Sequence, residues 1–234
     1  MLEEVLREGF SSLGLSLDEK ALARYRLYAD ELEETNRVMN LTAITGEDEV
    51  ARLHFLDSAA LLTLADFSHK RVIDVGTGAG FPGLALKIAR EDLSLVLLDS
   101  LDKRVGFLKS CCERLALTDV DCVHLRAEEA PAEYRGGFDI AVSRAVARLN
   151  VLCELCMPFV KKGGLFIAMK ASDHAEELAE AKRAIALLGG ELERDIAYTI
   201  PGTDVVHSAI LIRKTGDTPG KYPRRWAQIK KQPL

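Results

Sequence analysis

A short apolar strand that runs directly into a glycine-rich loop constrains this chain more than any other stretch. Val72-Ile73-Asp74-Val75 is apolar and β-branched apart from its single acid, which is typical of a buried parallel strand. Glycines follow at 76, 78, 80 and 83, and helical periodicity resumes at Leu84. Because glycine has no Cβ, backbone at these positions can approach a ligand closely. Strand, glycine loop and helix together predict the first half of a nucleotide-binding βαβ unit.

Two carboxylates at predicted strand ends indicate which ligand the loop binds. The segment from Gly78 to Gly83 matches the G-x-G-x-x-G pattern of dinucleotide enzymes, but Asp74 would face the pyrophosphate of a dinucleotide. The same carboxylate suits a ligand that carries an ammonium and a sulfonium. Asp99 follows a second apolar strand, about 20 residues beyond the glycines, where an acid accepts hydrogen bonds from ribose hydroxyls. The pattern favours S-adenosylmethionine, with a helix N-cap as the alternative role of Asp99.

Hydrophobic periodicity predicts an α/β fold. Seven strands are predicted, at residues 72–75, 95–98, 121–126, 137–142, 165–169, 191–199 and 205–213. Helical stretches follow the first, second, fourth and fifth strands, and only a short Pro-Gly turn separates the last two, which should therefore pair antiparallel. We expect a mostly parallel seven-stranded sheet with an antiparallel edge strand and helices on both faces.

The first 65 residues contain no glycine-rich loop and are predicted to form a helical cap. Ser16-Leu17-Asp18-Glu19 has the form of a capping box, and the helix it begins should run to about Val38. A further helical stretch is predicted from Glu47 to Leu64. The chain is divided into a helical cap, residues 1–65, a ligand-binding core, residues 66–214, and a basic tail, residues 215–234, all within one integrated domain.

Composition limits the class and the compartment of the protein. The chain has 234 residues, of which 48% are hydrophobic and 29% charged, as in one large or two small globular domains. Five cysteines without secreted-type spacing favour a reducing cytoplasm. Cys153 and Cys156 imitate a C-x-x-C motif inside an apolar helical stretch, so core packing is predicted rather than a metal site. No apolar run is long enough to span a bilayer, and we expect a cytoplasmic monomer with no metal and no membrane partner.

The C-terminal segment is basic although the whole chain has a formal net charge of −5. Seven Lys and Arg residues but only one acid, Asp217, lie between Arg213 and Leu234, and Tyr222 and Trp226 are interleaved with them. A basic arm on an acidic body is typical of nucleic-acid binding, whereas a solvated tail without function is the competing interpretation. The candidate RNA contacts, for which surface placement is an adequate alternative, are Arg148, Lys170, Lys221, Arg224 and Arg225.

Six short motifs between residue 40 and the Lys-Tyr-Pro-Arg-Arg sequence at 221–225 identify a family. They are Asn40-Leu41-Thr42, His54-Phe55-Leu56-Asp57-Ser58, the stretch from Asp74 to Gly83, Leu98-Asp99-Ser100 with Lys103-Arg104, Arg126-Ala127-Glu128, and Ser143-Arg144-Ala145-Val146-Ala147. In combination they closely resemble the bacterial RsmG family, also called glucose-inhibited division protein B. The resemblance implies a Rossmann-like class I methyltransferase that transfers a methyl group from S-adenosylmethionine to N7 of a guanine in 16S ribosomal RNA. The expected partner is 16S ribosomal RNA or the small ribosomal subunit.

The resemblance also implies a set of cofactor-binding residues. Those it places in the pocket are Gly76, Phe81, Ala127, Glu128 and Arg144. The pattern of residues adds Asp74 and Asp99 with their loop neighbours Gly78, Gly80 and Ser100, all near the carboxyl ends of strands, where open α/β sheets bind ligands. Phe81 could also be a core residue, and Glu128 an acid stabilised by a helix dipole. Arg144 interrupts an apolar run, where an unpaired charge would be costly.

The expected chemistry requires no general base, because N7 of guanine already has a free lone pair. Positioning and electrostatics can therefore carry the reaction, and the sequence indicates no particular catalytic side chain. The end of the fourth strand is consistent with this chemistry. Its sequence, Ser143-Arg144-Ala145-Val146, lacks the Asn/Asp-Pro-Pro-aromatic motif that amino-group methyltransferases have at this position. Two alternatives stay open. A small-molecule methyltransferase would have no use for a basic tail, and a dinucleotide-dependent oxidoreductase would need Asp74 turned away from the phosphates.

Overall fold

Seven strands form one sheet in the computed structural model, which describes residues 1–144 and 147–234; Ala145 and Val146, part of the last family motif, lie outside the described residues. The strands are β1 Arg71–Val75, β2 Ser94–Asp99, β3 Val120–His124, β4 Phe138–Arg144, β5 Val160–Ala171, β6 Gly190–Thr199 and β7 Val206–Lys214. Their order is β3-β2-β1-β4-β5-β7-β6. Strands β1 to β5 are parallel, and β7 is antiparallel to both of its neighbours.

The predicted fold class is therefore confirmed, with one refinement at the antiparallel end of the sheet. The antiparallel strand β7 lies one position in from the edge, and β6 occupies the edge itself. The burial of the two strands explains this order. Residues 208–212 of β7 are buried between β5 and β6, whereas residues 191–195 of β6 are exposed and mostly charged. Charged side chains are well suited to an edge strand, because they oppose pairing with other chains.

Helices cover both faces of the sheet. Those before the first strand are α1 Leu2–Ser12, α2 Glu19–Met39, α3 Glu47–Val50 and α4 Asp57–Ala60, with a π-helical segment, Ala51–Leu56, joining the last two. The later ones are α5 Gly83–Ala89, α6 Asp102–Arg114, α7 Leu149–Cys156, α8 Ala175–Leu187 and α9 Trp226–Lys231. The N-terminal helices share one apolar core with α5 and α6, and α7 and α8 build a second core on the opposite face.

The N-terminal region differs from its prediction in two details. Helix α1 was not predicted, although Leu2, Leu6 and Phe10 repeat at helical spacing and are all buried. The capping box was placed two residues too early, at Ser16. The N-cap of α2 is Asp18, whose carboxylate accepts the N–H of Ala21 at 2.7 Å. An acid at the N-cap satisfies one of the free N–H groups of the first turn, so Ser16 is not needed for this role.

The C-terminal segment packs on the core instead of extending as an arm. Tyr222 and Ile229 are buried in the core beside α7 and α8. Arg224 pairs with the fully buried carboxylate of Glu154 on α7, at 2.6 Å. Arg135 also donates a hydrogen bond to the carbonyl of Tyr222, at 2.7 Å. The free arm that the charge pattern suggested is thus a docked segment with exposed cations. No helix in the described part of the chain is long and apolar enough to cross a membrane.

Candidate active site

A cavity of about 510 Å³ opens at the carboxyl ends of the first four strands. Its wall includes residues 76–79 after β1, Ser100 after β2, Ala127 and Glu128 after β3, and Arg144 at the end of β4. The rest of the wall comes from distant parts of the chain, with Leu41, Thr42 and His54 from the N-terminal region and Leu155 and Trp226 from the opposite face. This is the edge at which open α/β sheets bind their ligands.

The glycine loop has the backbone geometry of a close-approach cradle. Gly76 and Gly78 have φ values of 72° and 60°, which L side chains rarely adopt. A Cβ built on Gly78 meets no atom within 4 Å, so it would project into open space at the cavity wall. Gly80, also predicted to bind the cofactor, does not line the cavity. A Cβ there would lie 2.5 Å from the Tyr28 hydroxyl, which gives Gly80 a packing role.

Asp99 lies on the cavity wall, where the sequence placed it. Its Oδ2 accepts the N–H of Gly78 and its Oδ1 accepts the N–H of Leu101, both at 2.9 Å. The alternative role of N-cap is met only loosely, since the residue that precedes α6 is Leu101. A carboxylate offers about four lone-pair positions, so Asp99 keeps acceptor capacity for ribose hydroxyls.

Asp74 is placed behind the glycine loop and not on the cavity wall. Its Oδ2 accepts the Thr77 hydroxyl at 2.7 Å and the N–H of Gly83 at 2.8 Å, which ties the two ends of the loop together. Burial raises the pKa of this carboxyl to about 6. Its Oδ1 is buried and has no partner in the described residues. Asp74 thus supports the base of the loop from behind, and its direct contact with a cationic ligand stays a prediction.

The guanidinium of Arg144 has hydrogen-bond partners, and these offset the free-energy cost of placing a charge inside an apolar run. One guanidinium nitrogen donates to Asp57 Oδ2 and to the carbonyl of Leu53, both at 3.0 Å, and the other donates to His54 Nδ1 at 2.8 Å. Its guanidinium carbon lies 5.0 Å from the centre of the Phe81 ring, and His54 stacks on the same ring at 4.2 Å. Phe81 is therefore both a buried core residue and part of the cavity wall.

The buried carboxylate of Asp57 is the centre of a network that joins four distant parts of the chain. Besides Arg144, it accepts the Tyr198 hydroxyl at 2.8 Å and His207 Nδ1 at 2.9 Å. Burial opposes the charge, but His207, Arg144 and Tyr198 together lower the pKa of Asp57. The hydrogen bond to Asp57 raises the pKa of His207. Burial and the neighbouring Arg144 lower the pKa of His54 to about 3. At neutral pH Asp57 is thus an anion and His54 is neutral.

The five candidate RNA contacts lie outside the cavity wall, and they differ in whether their side chains are paired with acids and in how exposed they are. Arg224 pairs with Glu154, and Lys170 pairs with Glu177 at 2.6 Å in a nearly buried position. Arg148 pairs with Glu180 at 2.7 Å but stays half exposed. Lys221 and Arg225 are exposed. The structure therefore gives Arg224 and Lys170 structural roles and leaves Lys221 and Arg225 as the better-placed cations.

The sequence pattern missed several residues of the site. Thr42, His54 and Asp57 stand in motifs that supported the family resemblance, but none was assigned a role. Trp226 was noted only as an aromatic residue between cations, and the structure places it on the cavity wall with 38% of its surface exposed. Cys153 and Cys156 are fully buried free thiols, which confirms their predicted place in the core.

Solved structures share this fold with the described chain. The ribosomal protein L11 methylase from Lactobacillus delbrueckii subsp. bulgaricus aligns with a TM-score of 0.52 at 15% identity, over 74% of this chain and 81% of that one. TYW2 from M. jannaschii, solved in complex with AdoMet, aligns with a TM-score of 0.53 at 12% identity, over 67% of this chain and 72% of that one. The fold, with its glycine loop and the acid at the end of β2, is therefore a Rossmann-like α/β fold.

Sequence comparison identifies the family within this class. A family model described as GidB, rRNA small subunit methyltransferase G, matches residues 21–198. The protein named ribosomal RNA small subunit methyltransferase G from Acetivibrio thermocellus is 45% identical over 235 residues, which cover 100% of this chain and 97% of that relative. The protein of the same name from Lachnoclostridium phytofermentans is 46% identical over 230 residues, or 97% and 95%. The chain belongs to this family, which confirms the resemblance, and its cofactor is S-adenosylmethionine.

Proposed function

We propose that this protein transfers a methyl group from S-adenosylmethionine to N7 of a guanine in the 16S RNA of the small ribosomal subunit. The family is named for methylation of small-subunit ribosomal RNA, which favours an RNA substrate over the small-molecule and dinucleotide alternatives. The observation that carries the N7 assignment is the state of His54 on the cavity wall. Its Nδ1 accepts a hydrogen bond from Arg144 and its pKa is about 3, so it does not take up a proton at neutral pH. N7 of guanine is a nucleophile that needs no such base.

The residues on the wall suit the parts of the cofactor. Asp99 has acceptors for the ribose hydroxyls, and the backbone at Gly76 and Gly78 allows close approach. We expect Ala127 and Glu128, which line the cavity after the neighbouring strand β3, to contact the adenine. When bound, S-adenosylmethionine supplies an electrophilic methyl group on a sulfonium. The protein contributes by orienting the two reactants and by excluding water, as expected for a reaction without a general base.

The mouth of the cavity suits a nucleotide whose base is no longer stacked on its neighbours in the RNA. Trp226 is on the wall and partly exposed, and the adjoining Arg225 and the nearby Lys221 are exposed cations in the same segment. Aromatic rings stack on unpaired bases, and cations hold the phosphates on either side. The target base must be extruded or single-stranded to reach the methyl group. We also propose that the protein acts as a monomer in the cytoplasm, where a ribosomal substrate is found.

Transfer of tritiated methyl groups tests the class of substrate. The protein and labelled S-adenosylmethionine are incubated in three parallel reactions. One contains small ribosomal subunits, one contains protein-free 16S RNA, and one contains a mixture of nucleosides. We expect retention of label on the subunit or on 16S RNA, and none with the Gly78→Val variant. Label on free nucleosides alone, or no transfer to any RNA, would exclude the proposal. Calorimetric titration with S-adenosylhomocysteine and NAD checks the ligand class, and binding of NAD alone would restore the oxidoreductase alternative.

A further inference from the structure

The direction of the protons around His54 is fixed by Arg144. A guanidinium can only donate hydrogen bonds, and one of its nitrogens lies 2.8 Å from His54 Nδ1. His54 Nδ1 must therefore be the acceptor. Because the imidazole is neutral, its single proton is on Nε2. Nε2 lies 2.9 Å from the hydroxyl oxygen of Thr42 and donates to it.

The hydroxyl of Thr42 consequently has one direction left in which to bond. A hydroxyl has two lone pairs and one proton. One lone pair accepts the His54 proton, and the other accepts the N–H of Ile44 at 3.1 Å. The described part of the chain offers no acceptor for the hydroxyl proton. Thr42 lies on the cavity wall, and with both lone pairs occupied its hydroxyl can donate to a group bound there but cannot accept from one.

Thr42 is also held firmly in place. The side-chain amide of Asn36 donates to the carbonyl of Thr42 and accepts its N–H, both at 2.9 Å. This pair of bonds fixes the backbone, and the bonds from Ile44 and His54 fix the side chain. A group fixed by its own surroundings loses little freedom on binding a ligand, which makes it suitable for discrimination.

The order of the strands indicates which reactant Thr42 meets. Asp99, which suits the ribose, ends β2, and the adenine side of the cavity lies towards β3. The reactive end then lies on the other side, over β1 and β4, where Arg144 ends its strand. Thr42 is linked to Arg144 through His54, so it stands at the end of the cavity where the methyl acceptor must enter.

We propose that the Thr42 hydroxyl donates to O6 of the target base and so selects guanine over adenine. This inference rests on the proposed function, which makes guanine the methyl acceptor. Guanine presents two adjacent acceptors, N7 and O6, on one edge, whereas adenine presents N7 beside an amino donor. A hydroxyl whose lone pairs are both occupied bonds to O6 and leaves the adenine amino group unpaired, which a binding site of this kind rejects.

A combined change of protein and base tests this contact. The protein variants are Thr42→Val, which removes the hydroxyl at nearly constant shape, and Thr42→Ser, which keeps it. The RNA carries either guanine or 2-aminopurine at the methylated position, because 2-aminopurine keeps N7 and lacks O6. With the unchanged protein, we expect kcat/KM to fall about tenfold on 2-aminopurine. Thr42→Val should lose about tenfold on guanine and nothing further on 2-aminopurine, while Thr42→Ser should keep the difference between the bases.

Binding of S-adenosylhomocysteine, measured by calorimetry, and thermal melting provide readouts that do not depend on turnover. S-adenosylhomocysteine binding should be the same in all three proteins. Thr42→Val should melt at a lower temperature than the other two, because the N–H groups of His54 and Ile44 lose their acceptor. If the losses from Thr42→Val and from 2-aminopurine multiply, the hydroxyl does not contact O6 and the inference is wrong. If Thr42→Val weakens S-adenosylhomocysteine binding and the base preference persists, the hydroxyl serves the cofactor instead. Failure of the unchanged protein to methylate any RNA would remove the proposed function, and this inference with it.

Discussion

Asp99 accepts the N–H of Gly78 at 2.9 Å, and this bond ties the end of β2 to the loop that follows β1. The other oxygen of the same carboxylate accepts the N–H of Leu101, which directs the chain into α6. One side chain thus positions the backbone on two sides of the cavity and still faces the cavity itself. The ribose-binding role and the turn-forming role, which the sequence presents as alternatives, are compatible in this geometry.

Replacement of Asp99 by Ala should weaken S-adenosylhomocysteine binding by about 1–3 kcal/mol, because a charged acceptor is lost and the glycine loop loses an anchor. Calorimetric titration measures the change. Asp99→Asn keeps the shape and one acceptor oxygen, and its loss should be smaller. A lower melting temperature with an unchanged dissociation constant would leave Asp99 only its structural role.

The two glycines 78 and 80 should respond in opposite ways to the same substitution. Gly78→Ala places a methyl group in open space at the cavity wall, so it should abolish or strongly weaken cofactor binding with only about 1–2 kcal/mol of backbone strain. Gly80→Ala places its methyl 2.5 Å from the Tyr28 hydroxyl and should mainly lower stability. Calorimetry and urea unfolding of both variants separate the effects. Normal binding by Gly78→Ala would contradict the role given to the loop.

Acidification should destabilise the fold partly through His54. Its pKa is about 3 in the folded protein against 6.5 ordinarily, so between these values the unfolded chain binds the extra proton. The contribution of His54 is fully present above pH 6.5 and is lost as the pH falls towards 3. Arg144 and Asp57 are the charged groups that face this imidazole. His207 has a raised pKa and titrates in the opposite sense, but it is present in the unchanged protein and in a His54 variant alike, so it does not affect their comparison.

Urea unfolding at pH 7 and pH 5 measures how much His54 contributes to the pH dependence of the free energy of unfolding. Between the two pH values the loss of stability should be about 2 kcal/mol smaller in His54→Gln than in the unchanged protein. His69→Gln, which alters an exposed imidazole, is the matched control and should not change the difference. An equal loss in all three proteins would show that His54 is not held neutral by the fold.

Exposed cations of the docked C-terminal segment should contribute to RNA binding through the phosphates. Replacing Lys221, Arg225, Lys230 and Lys231 by Gln should reduce the slope of log K against log salt by up to about 3 units. S-adenosylhomocysteine binding should stay the same. These substitutions are preferable to truncation, which would also remove Trp226 from the cavity wall and uncover α7. Filter binding at several salt concentrations that gives equal slopes would remove the segment from the RNA interface.

The sequence predicted the strands and the glycine loop because their signals are local. Apolar runs, glycine spacing and an acid after β2 are all readable within a few residues, and Asp99 was correctly placed on the wall. Asp74 shows the limit of this reasoning. It lies one residue before the end of β1, and the loop folds back over it through Thr77 and Gly83. Which of two similar carboxylates faces the cavity depends on that fold, and residue type alone does not determine it.

The remainder of the site depends on contacts between residues far apart in the chain. Asp57, Arg144, Tyr198 and His207 meet only when the sheet and the N-terminal helices are assembled. Trp226 reaches the cavity because Arg224 pairs with Glu154 some seventy positions earlier. A single sequence carries no signal for such pairs, since each residue has an ordinary surface or core interpretation by itself. The docking of the tail was missed for this reason.

The identity of the methylated nucleoside tests the central claim most directly. Small ribosomal subunits lacking the modification are incubated with the protein and S-adenosylmethionine, and their 16S RNA is digested and examined by mass spectrometry, first as nucleosides and then as oligonucleotides. The cavity, with its neutral His54 and no need for a general base, predicts 7-methylguanosine at a single position. A methyl group on an exocyclic amine, on a ribose or on a pyrimidine carbon would contradict the account.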